Sequence, residues 1–112
     1  MIAHVVLFSP ACDRSAREFL DALVAASGDI PSIKRFRAGR RIRHGIPGYE
    51  QMMRVDYEFA AIIEFDSVDA LKAYLAHPSH AEIGRHFSAS ASESLAYDYA
   101  LVEAGDVSTL LE

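Results

Sequence analysis

The sequence predicts one α+β domain with the element order β-α-β-β-α-β, in which two helices cover one face of a four-stranded antiparallel sheet. Three observations lead to this prediction. The chain has only 112 residues, four of its segments show strand-like apolar character, and two others carry apolar residues at helical spacing. This order of elements is the split βαβ arrangement of ferredoxin-like domains.

The first two elements are the most regular. Residues 2–8 are apolar and largely β-branched and end at Ser9-Pro10, which predicts a strand. Ser15 and Glu18 then have capping-box spacing, and Gly28 is expected to end the helix that follows. The apolar stripe of this helix consists of Ala16, Phe19, Leu20, Leu23 and Val24.

Two strands are predicted in the middle of the chain. After a turn at Ile30-Pro31, the second strand runs from Ile33 to about Arg43, with an irregularity near Gly39. The glycines and the proline of residues 45–48 mark a loop. The alternation from Tyr57 to Phe65 predicts a third strand, buried on one face and partly covered on the other.

The second helical region contains a break. Ser67 can cap a helix, but Pro78 forbids its continuation, so this helix should stop or kink near His77. A new turn can begin with Pro78 at its first position. The inner face of the first part is formed by Val68, Leu71, Tyr74 and Leu75, and that of the second part by His80, Ile83, Gly84 and Phe87.

The last part of the chain returns to the sheet. Residues 88–94 are small and polar, which predicts a loop. Alternation from Leu95 to Val102 predicts the fourth strand, so the domain spans residues 1–104 and residues 105–112 form a C-terminal tail. Since helices cover one face only while all four strands carry apolar residues on both, we expect a homodimer through the open sheet face.

Composition excludes several classes of protein. No apolar run reaches the length of about 18 residues that a membrane span needs, and Met1-Ile2 leads into a strand without a basic leader. Cys12 is the only cysteine, which excludes an internal disulfide and a multi-thiolate metal site. We therefore expect a cytoplasmic protein that neither enters a membrane nor carries a signal peptide.

The charge is unevenly distributed. The net charge is −5, yet residues 1–56 hold nine Lys/Arg against six Asp/Glu, while residues 57–112 hold two against ten. Six of the basic residues lie between Lys34 and Arg43. This basic segment is either a solvated strand end or a site for an anion. No interleaved aromatic residues support nucleic-acid binding.

Five histidines are the most informative residues. His80 lies in the first helical turn after Pro78, where the helix N-terminus and burial both favour a neutral ring that can accept a proton. His4 points with an apolar strand face and is either a hydrogen-bonded core residue or part of a pocket. His77 caps the helix break, and His44 and His86 are solvent-facing.

Two more side chains complete a candidate acid–base site. Tyr74 shares the inner face with His80, so it either packs in the core or binds a carbonyl oxygen while His80 takes a proton. Asp98 lies between the small residues Ala96 and Ala100, where a partly buried carboxylate needs a partner. We expect Asp98 to orient His80. The side chains predicted to line the pocket are His4, Val6, Phe19, Leu23, Phe59 and Phe87. No metal and no cofactor are expected.

Several short motifs resemble the stress-responsive dimeric α/β-barrel (Dabb) family. They are the first strand with His4, the Ile30-Pro31 pair, the segment 64–67, the His77-Pro78-Ser79-His80 element after an aromatic helix, and Tyr97-Asp98-Tyr99. The resemblance covers residues 2 to about 103. It implies a ferredoxin-like protomer and a homodimer whose two sheets form a barrel.

The resemblance also implies a type of catalysed reaction. A plant polyketide cyclase of this family catalyses an intramolecular aldol condensation without a cofactor, and its catalytic tyrosine and histidine match Tyr74 and His80. Its orienting carboxylate matches Asp98 and its first-strand histidine matches His4. The chain departs from it at Phe59 and Leu23, where the cyclase has a histidine and a tyrosine, and in the basic segment with the longer loop up to Asp56.

Three functions follow as alternatives. The first is a cofactor-free lyase or cyclase that acts on a small apolar carbonyl compound with His80 as general base. The second is a non-catalytic protein that binds a small ligand or serves in stress. The third, implied by related dimeric barrels, is a cofactor-independent monooxygenase.

Overall fold

The computed structural model describes residues 1–53 and 55–112, apart from the side chains of residues 13–15 and 88–92. Its strands and helices follow the predicted order: β1 (Ile2–Pro10), α1 (Asp13–Asp29), β2 (Arg35–Arg40), β3 (Phe59–Phe65), α2 (Val68–Ala76), α3 (Pro78–Ser90) and β4 (Ala91–Ala100). Short 3-10 helices span Glu50–Met52 and Ala104–Leu111. No helix in this part of the chain has both the length and the apolar character needed to cross a bilayer.

The four strands form one sheet in the order β2-β3-β1-β4, with antiparallel pairing throughout. This confirms the ferredoxin-like arrangement. The core lies between the sheet and the helices, where Phe8 of β1 and Phe65 of β3 are almost fully buried. α1 buries Phe19, Leu23 and Ala26, which are spaced four and three residues apart, and its C-cap residue Ile30 is buried as well. Val24, predicted on this stripe, lies off that face and is 64% exposed.

The helix ends follow local chemistry. The N-cap residue of α1 is Cys12, three positions before Ser15, which was predicted for this role, and the helix begins at Asp13. The side chain of Ser15 lies outside the described residues. The Ser67 hydroxyl accepts a hydrogen bond from the Ala70 N–H at 3.1 Å, which confirms the predicted cap of α2. α2 ends at Ala76 with His77 as its extended C-cap residue, and α3 begins at Pro78, so the predicted break is confirmed.

The prediction of a loop at residues 88–94 is wrong. α3 continues to Ser90 and β4 begins at Ala91. Residues 91–94 form a strand because β1 extends to Pro10 and provides backbone partners for them. Ser9 lies opposite Glu93 and Pro10 opposite Ala91. β4 ends two residues earlier than predicted, at Ala100. β2 is shorter than predicted at both ends, and β3 begins two residues later than predicted, at Phe59.

The open face of the sheet is apolar over three strands only. Val5 of β1 lies between Ile62 of β3 and Tyr97 of β4, which is 58% exposed. β2 instead contributes Arg35 and Arg37 on this side. The expectation that all four strands carry apolar residues on both faces is therefore wrong for β2.

Carboxylates of the same chain form ion pairs with side chains of the basic segment. Lys34 pairs with Asp66 at 2.8 Å and Arg40 with Glu58 at 2.5 Å. The remaining ion pairs of the segment are Arg37–Glu64, Arg41–Glu50, Arg41–Asp56 and Arg43–Asp56. This pattern supports the interpretation of a solvated, ion-paired strand and loop.

Candidate active site

A cavity of about 320 Å³ lies between the sheet and the helices. Its polar side chains are His4, Tyr74, His80 and Asp98, and its apolar wall is formed by Val6, Phe19, Leu23, Leu75, Ile83, Gly84, Phe87 and Ala96. Most residues predicted for the site therefore lie around one space. Pockets of this size are at the small end of those that hold organic ligands.

Strand register places two of the polar groups together. His4 of β1 lies directly opposite Asp98 of β4, and two residues further along the pair of strands Val6 lies opposite Ala96. Because side chains of a strand alternate between its faces, all four point to the helix side. The small Ala96 side chain leaves room for the cavity beside the carboxylate.

Asp98 forms its hydrogen bond with His4 and not with His80, contrary to the prediction. The distance from His4 Nδ1 to Asp98 Oδ1 is 2.6 Å, and the His4 side chain is 8% exposed. The cause is the antiparallel register, which a single strand sequence does not reveal. With its Nδ1–H donated to the carboxylate, a neutral His4 ring keeps Nε2 free as an acceptor.

Tyr74 stands between the two histidines in the last turn of α2. Its ring meets His4 at a centroid distance of 5.5 Å and His80 at 4.8 Å, both edge to face. The residue is 1% exposed, and its hydroxyl has no hydrogen-bond partner among the described residues. Burial, with a smaller contribution from the Asp98 charge, raises the pKa of Tyr74 to about 12. The phenol therefore stays protonated near neutral pH and can donate a hydrogen bond into the cavity.

His80 lies in the first turn of α3, as predicted, and is half-buried. Burial, followed by the positive charge that His4 can carry, lowers the pKa of His80, while a hydrogen bond to the Leu75 backbone opposes this shift. The ring is therefore mostly neutral at physiological pH.

The other histidines lie outside the cavity. His77 Nδ1 accepts a hydrogen bond from the Ser79 N–H at 3.1 Å, so this side chain supports the break between α2 and α3, as predicted. His44 is exposed in the loop after β2. His86 is half-buried on α3, 3.7 Å from a Glu82 carboxylate oxygen. In the described part of the chain, no three His, Cys, Asp or Glu side chains are grouped as a metal site would require.

One predicted pocket residue lies elsewhere. Phe59 stacks on Phe8 at a centroid distance of 5.6 Å, with the Arg40 guanidinium 5.5 Å from its ring. It belongs to the core edge near the loop after β2. The predicted list of pocket residues omits four members of the apolar wall, namely Leu75, Ile83, Gly84 and Ala96. The signals for them were the inner-face positions of the first three and the small size of Ala96 on the strand face of Asp98.

A second cleft, of about 620 Å³, is larger but chemically different. It lies where β1 and β2 begin and β4 ends, and its charged side chains are Lys34, Arg35, Glu64 and Glu103. Neither a histidine nor a tyrosine lines it. We place the candidate site in the smaller cavity because, of these two spaces, it is the one lined by imidazoles and a buried phenol, which can take part in proton transfer.

Comparison with known proteins agrees with this architecture. The structure of the protein At3g17210 from Arabidopsis thaliana is 24% identical, with a TM-score of 0.75 over 93% of this chain and 98% of that one. The hydroxynitrile lyase from Passiflora edulis is 16% identical, with a TM-score of 0.75 over 92% and 94%. SnoaB, a cofactor-independent oxygenase from Streptomyces nogalater, is 14% identical, with a TM-score of 0.67 over 92% and 94%.

Other structures with this fold are described as dimeric ferredoxin-like proteins, among them one from Thermobifida fusca. None of the curated proteins with which the sequence was compared matches it. The model of the family described as "Stress responsive A/B Barrel Domain" matches residues 2–101. The chain therefore belongs to the Dabb family of stress-responsive A/B barrel domains.

Proposed function

We propose that this protein is a cofactor-free acid–base enzyme of the lyase type, which acts on a small, mostly apolar carbonyl compound. One observation carries the proposal. The ring of Tyr74, whose hydroxyl has no hydrogen-bond partner in the described part of the chain, lies between two imidazoles in a largely apolar cavity. A hydrogen-bond donor beside a neutral base is the arrangement that proton abstraction next to a carbonyl group requires.

The roles follow from the contacts. His80 removes a proton from the carbon next to the carbonyl group, and the electron pair of the broken C–H bond moves into an enolate. Tyr74 donates a hydrogen bond to the enolate oxygen, where negative charge develops. The enolate carbon then attacks a second carbonyl carbon of the substrate, whose C=O π bond opens to an alkoxide that takes the proton from His80. Alternatively, His80 exchanges its proton with water and returns one to the enolate carbon, which completes an exchange. His4, held by Asp98, is the second proton-handling group of the cavity.

The walls limit the substrate class. Phe19, Leu23 and Phe87 offer apolar contact on the helix side, and Val6 does so on the sheet. The basic segment lies at the opposite edge of the sheet, on β2 and the loop after it. A substrate with an apolar body and a single polar carbonyl end fits this distribution.

Catalysis on this fold has two precedents among the similar structures. One is a lyase and the other is a cofactor-independent oxygenase. Both support catalysis on this fold, and the oxygenase supports catalysis without a cofactor. The geometry favours the lyase type, because the site provides proton acceptors and a hydrogen-bond donor.

Hydrogen–deuterium exchange tests the proposal without knowledge of the natural substrate. Acetophenone in D₂O is incubated with the protein, and loss of the methyl proton signal is followed by NMR. The wild type should accelerate exchange, and His80→Ala should lose about 10²–10⁴-fold of that acceleration. Tyr74→Phe should lose about 10²-fold, because it lacks the donor to the enolate oxygen.

Matched substitutions outside the cavity are the controls. His44→Ala and Tyr49→Phe change exposed residues of the loop after β2 and should exchange at the wild-type rate. If acetophenone binds, measured by calorimetry, but no exchange occurs in the wild type, the chain is a ligand-binding protein and the proposal is wrong. Oxygen consumption with a quinol substrate would favour the oxygenase instead.

We further propose that a second copy covers the open sheet face. Tyr97 and Tyr99 are each more than half exposed on that face, and several structures with this fold are dimers. Packing of two such faces would remove the exposed aromatic surface from water.

A further inference from the structure

We propose that Gly84 sets the size limit of the ligand in the cavity, an inference that rests on the proposed function of the same site. This size limit would decide which carbonyl compounds the site accepts. A residue without a side chain keeps open the space that lies one helical turn beyond His80.

Gly84 lies in the interior of α3, where glycine destabilises a helix relative to alanine. The usual reasons for an interior glycine do not apply here. Its φ angle is not positive, since the glycines with positive φ are Gly45 and Gly48. A Cβ atom built at Gly84 would have no heavy atom within 4 Å, leaving aside its chain neighbours and its own helix backbone. Neither backbone conformation nor close packing therefore requires glycine at this position.

The position of Gly84 suggests what the empty space is for. Residues i and i+4 share one face of a helix, so a side chain at Gly84 would point to the same side as His80. Gly84 lines the cavity together with His80 and Phe87. A side chain there would take up part of a cavity of only about 320 Å³, beside the proposed base.

A side chain at position 84 would affect the part of the ligand that is remote from the reacting carbonyl group. With its oxygen at Tyr74 and its acidic carbon at His80, a ligand with a longer apolar body extends along α3 toward Gly84. Small ligands end before this point. A methyl group at position 84 should therefore exclude long ligands and accept short ones.

A graded series of ketones tests this inference, with binding measured by calorimetry and by the shift in melting temperature. The series is acetophenone, 4-methylacetophenone, 4-tert-butylacetophenone and 4-acetylbiphenyl. Gly84→Ala should weaken binding of the largest ketone that the wild type accepts by about tenfold or more beyond its effect on acetophenone, since one methyl group in an apolar pocket has an effect of that size. Without ligand, its melting temperature should rise by about 2–6 °C, because alanine favours the helix.

Gly28→Ala is the matched control. Gly28 is also helical, also has open space at its Cβ position, and lies outside the cavity at the end of α1. This variant should not alter the ketone affinities. If Gly84→Ala and the wild type show the same dependence of affinity on ketone size, the inference is wrong while the proposed function stands. If the wild type binds no ketone of the series, both are wrong.

Discussion

Asp98 accepts its hydrogen bond from a histidine that lies 94 positions earlier in the chain and opposite it in the sheet. The carboxylate is 40% exposed, whereas the His4 side chain is 8% exposed, so the consequence of losing the pair falls mainly on His4. Deleting the carboxylate leaves a buried N–H without a partner, which costs more than the hydrogen bond itself contributes.

A double-mutant cycle measures this asymmetry. Asp98→Ala should lower the free energy of unfolding by about 1–3 kcal/mol, because His4 Nδ1–H is left buried and unsatisfied. In the His4→Phe background, which has no such donor, Asp98→Ala should cost clearly less. Urea unfolding of the four proteins gives the coupling energy. Equal costs in both backgrounds would show that the pair is not coupled.

The site should also have a characteristic pH profile. The base must be neutral, so activity falls as pH drops through the pKa of His80, which is shifted below its ordinary value of 6.5. Tyr74 must be protonated, and its pKa of about 12 keeps it so far into the alkaline range. The enzyme-dependent rate of acetophenone exchange should thus be half-maximal below pH 6.5 and show no loss from tyrosine ionisation up to about pH 11. An acid limb centred above pH 6.5 would contradict His80 as the base.

At the scale of elements, the site depends on the junction between α2 and α3. Tyr74 lies in the last turn of one helix and His80 in the first turn of the next, with the extended backbone of His77 between them. The cap at Ser67 fixes where α2 begins. The break therefore sets the 4.8 Å contact between the two rings.

Removing that cap should weaken α2 with little change elsewhere. Ser67→Ala deletes the acceptor of the Ala70 N–H and should lower the free energy of unfolding by about 1 kcal/mol. Ser27→Ala is the control, because the Ser27 hydroxyl donates to a carbonyl of its own helix, that of Val24, and caps no helix start. Urea denaturation should detect the loss in the first variant only; equal losses would contradict the capping role.

The elements themselves were predictable where the signal was local. Ser67 and Pro78 marked the start of one helix and the break before the next, and both positions are confirmed. The partner of Asp98 was not predictable, because it depends on the register between the first and last strands. The prediction of a loop at residues 88–94 failed for a similar reason: residues 91–94 form a strand by pairing with the end of β1, which no local pattern encodes.

At the scale of the whole molecule, the proposed homodimer would bury the open sheet face. Tyr97→Glu places a charge in the middle of that face and should convert the dimer to a monomer at micromolar concentration, as measured by light scattering after size-exclusion chromatography. Val24→Glu, at a 64% exposed position on α1, should leave the dimer intact. Monomeric wild-type protein would refute the proposal.

The ion pairs along β2 have a consequence for assembly. β2 is an edge strand, and an edge strand can add a strand of another molecule and so start a fibril. Here three of the six residues of the edge strand are arginines, and two of them have carboxylate partners beside them: Glu64 of β3 for Arg37, and Glu58 just before β3 for Arg40. A strand that approached this edge would have to displace bound water and break these pairs. The charges that suggested an anion site thus help to keep the sheet four strands wide, so that two copies can meet face to face without growing edge to edge.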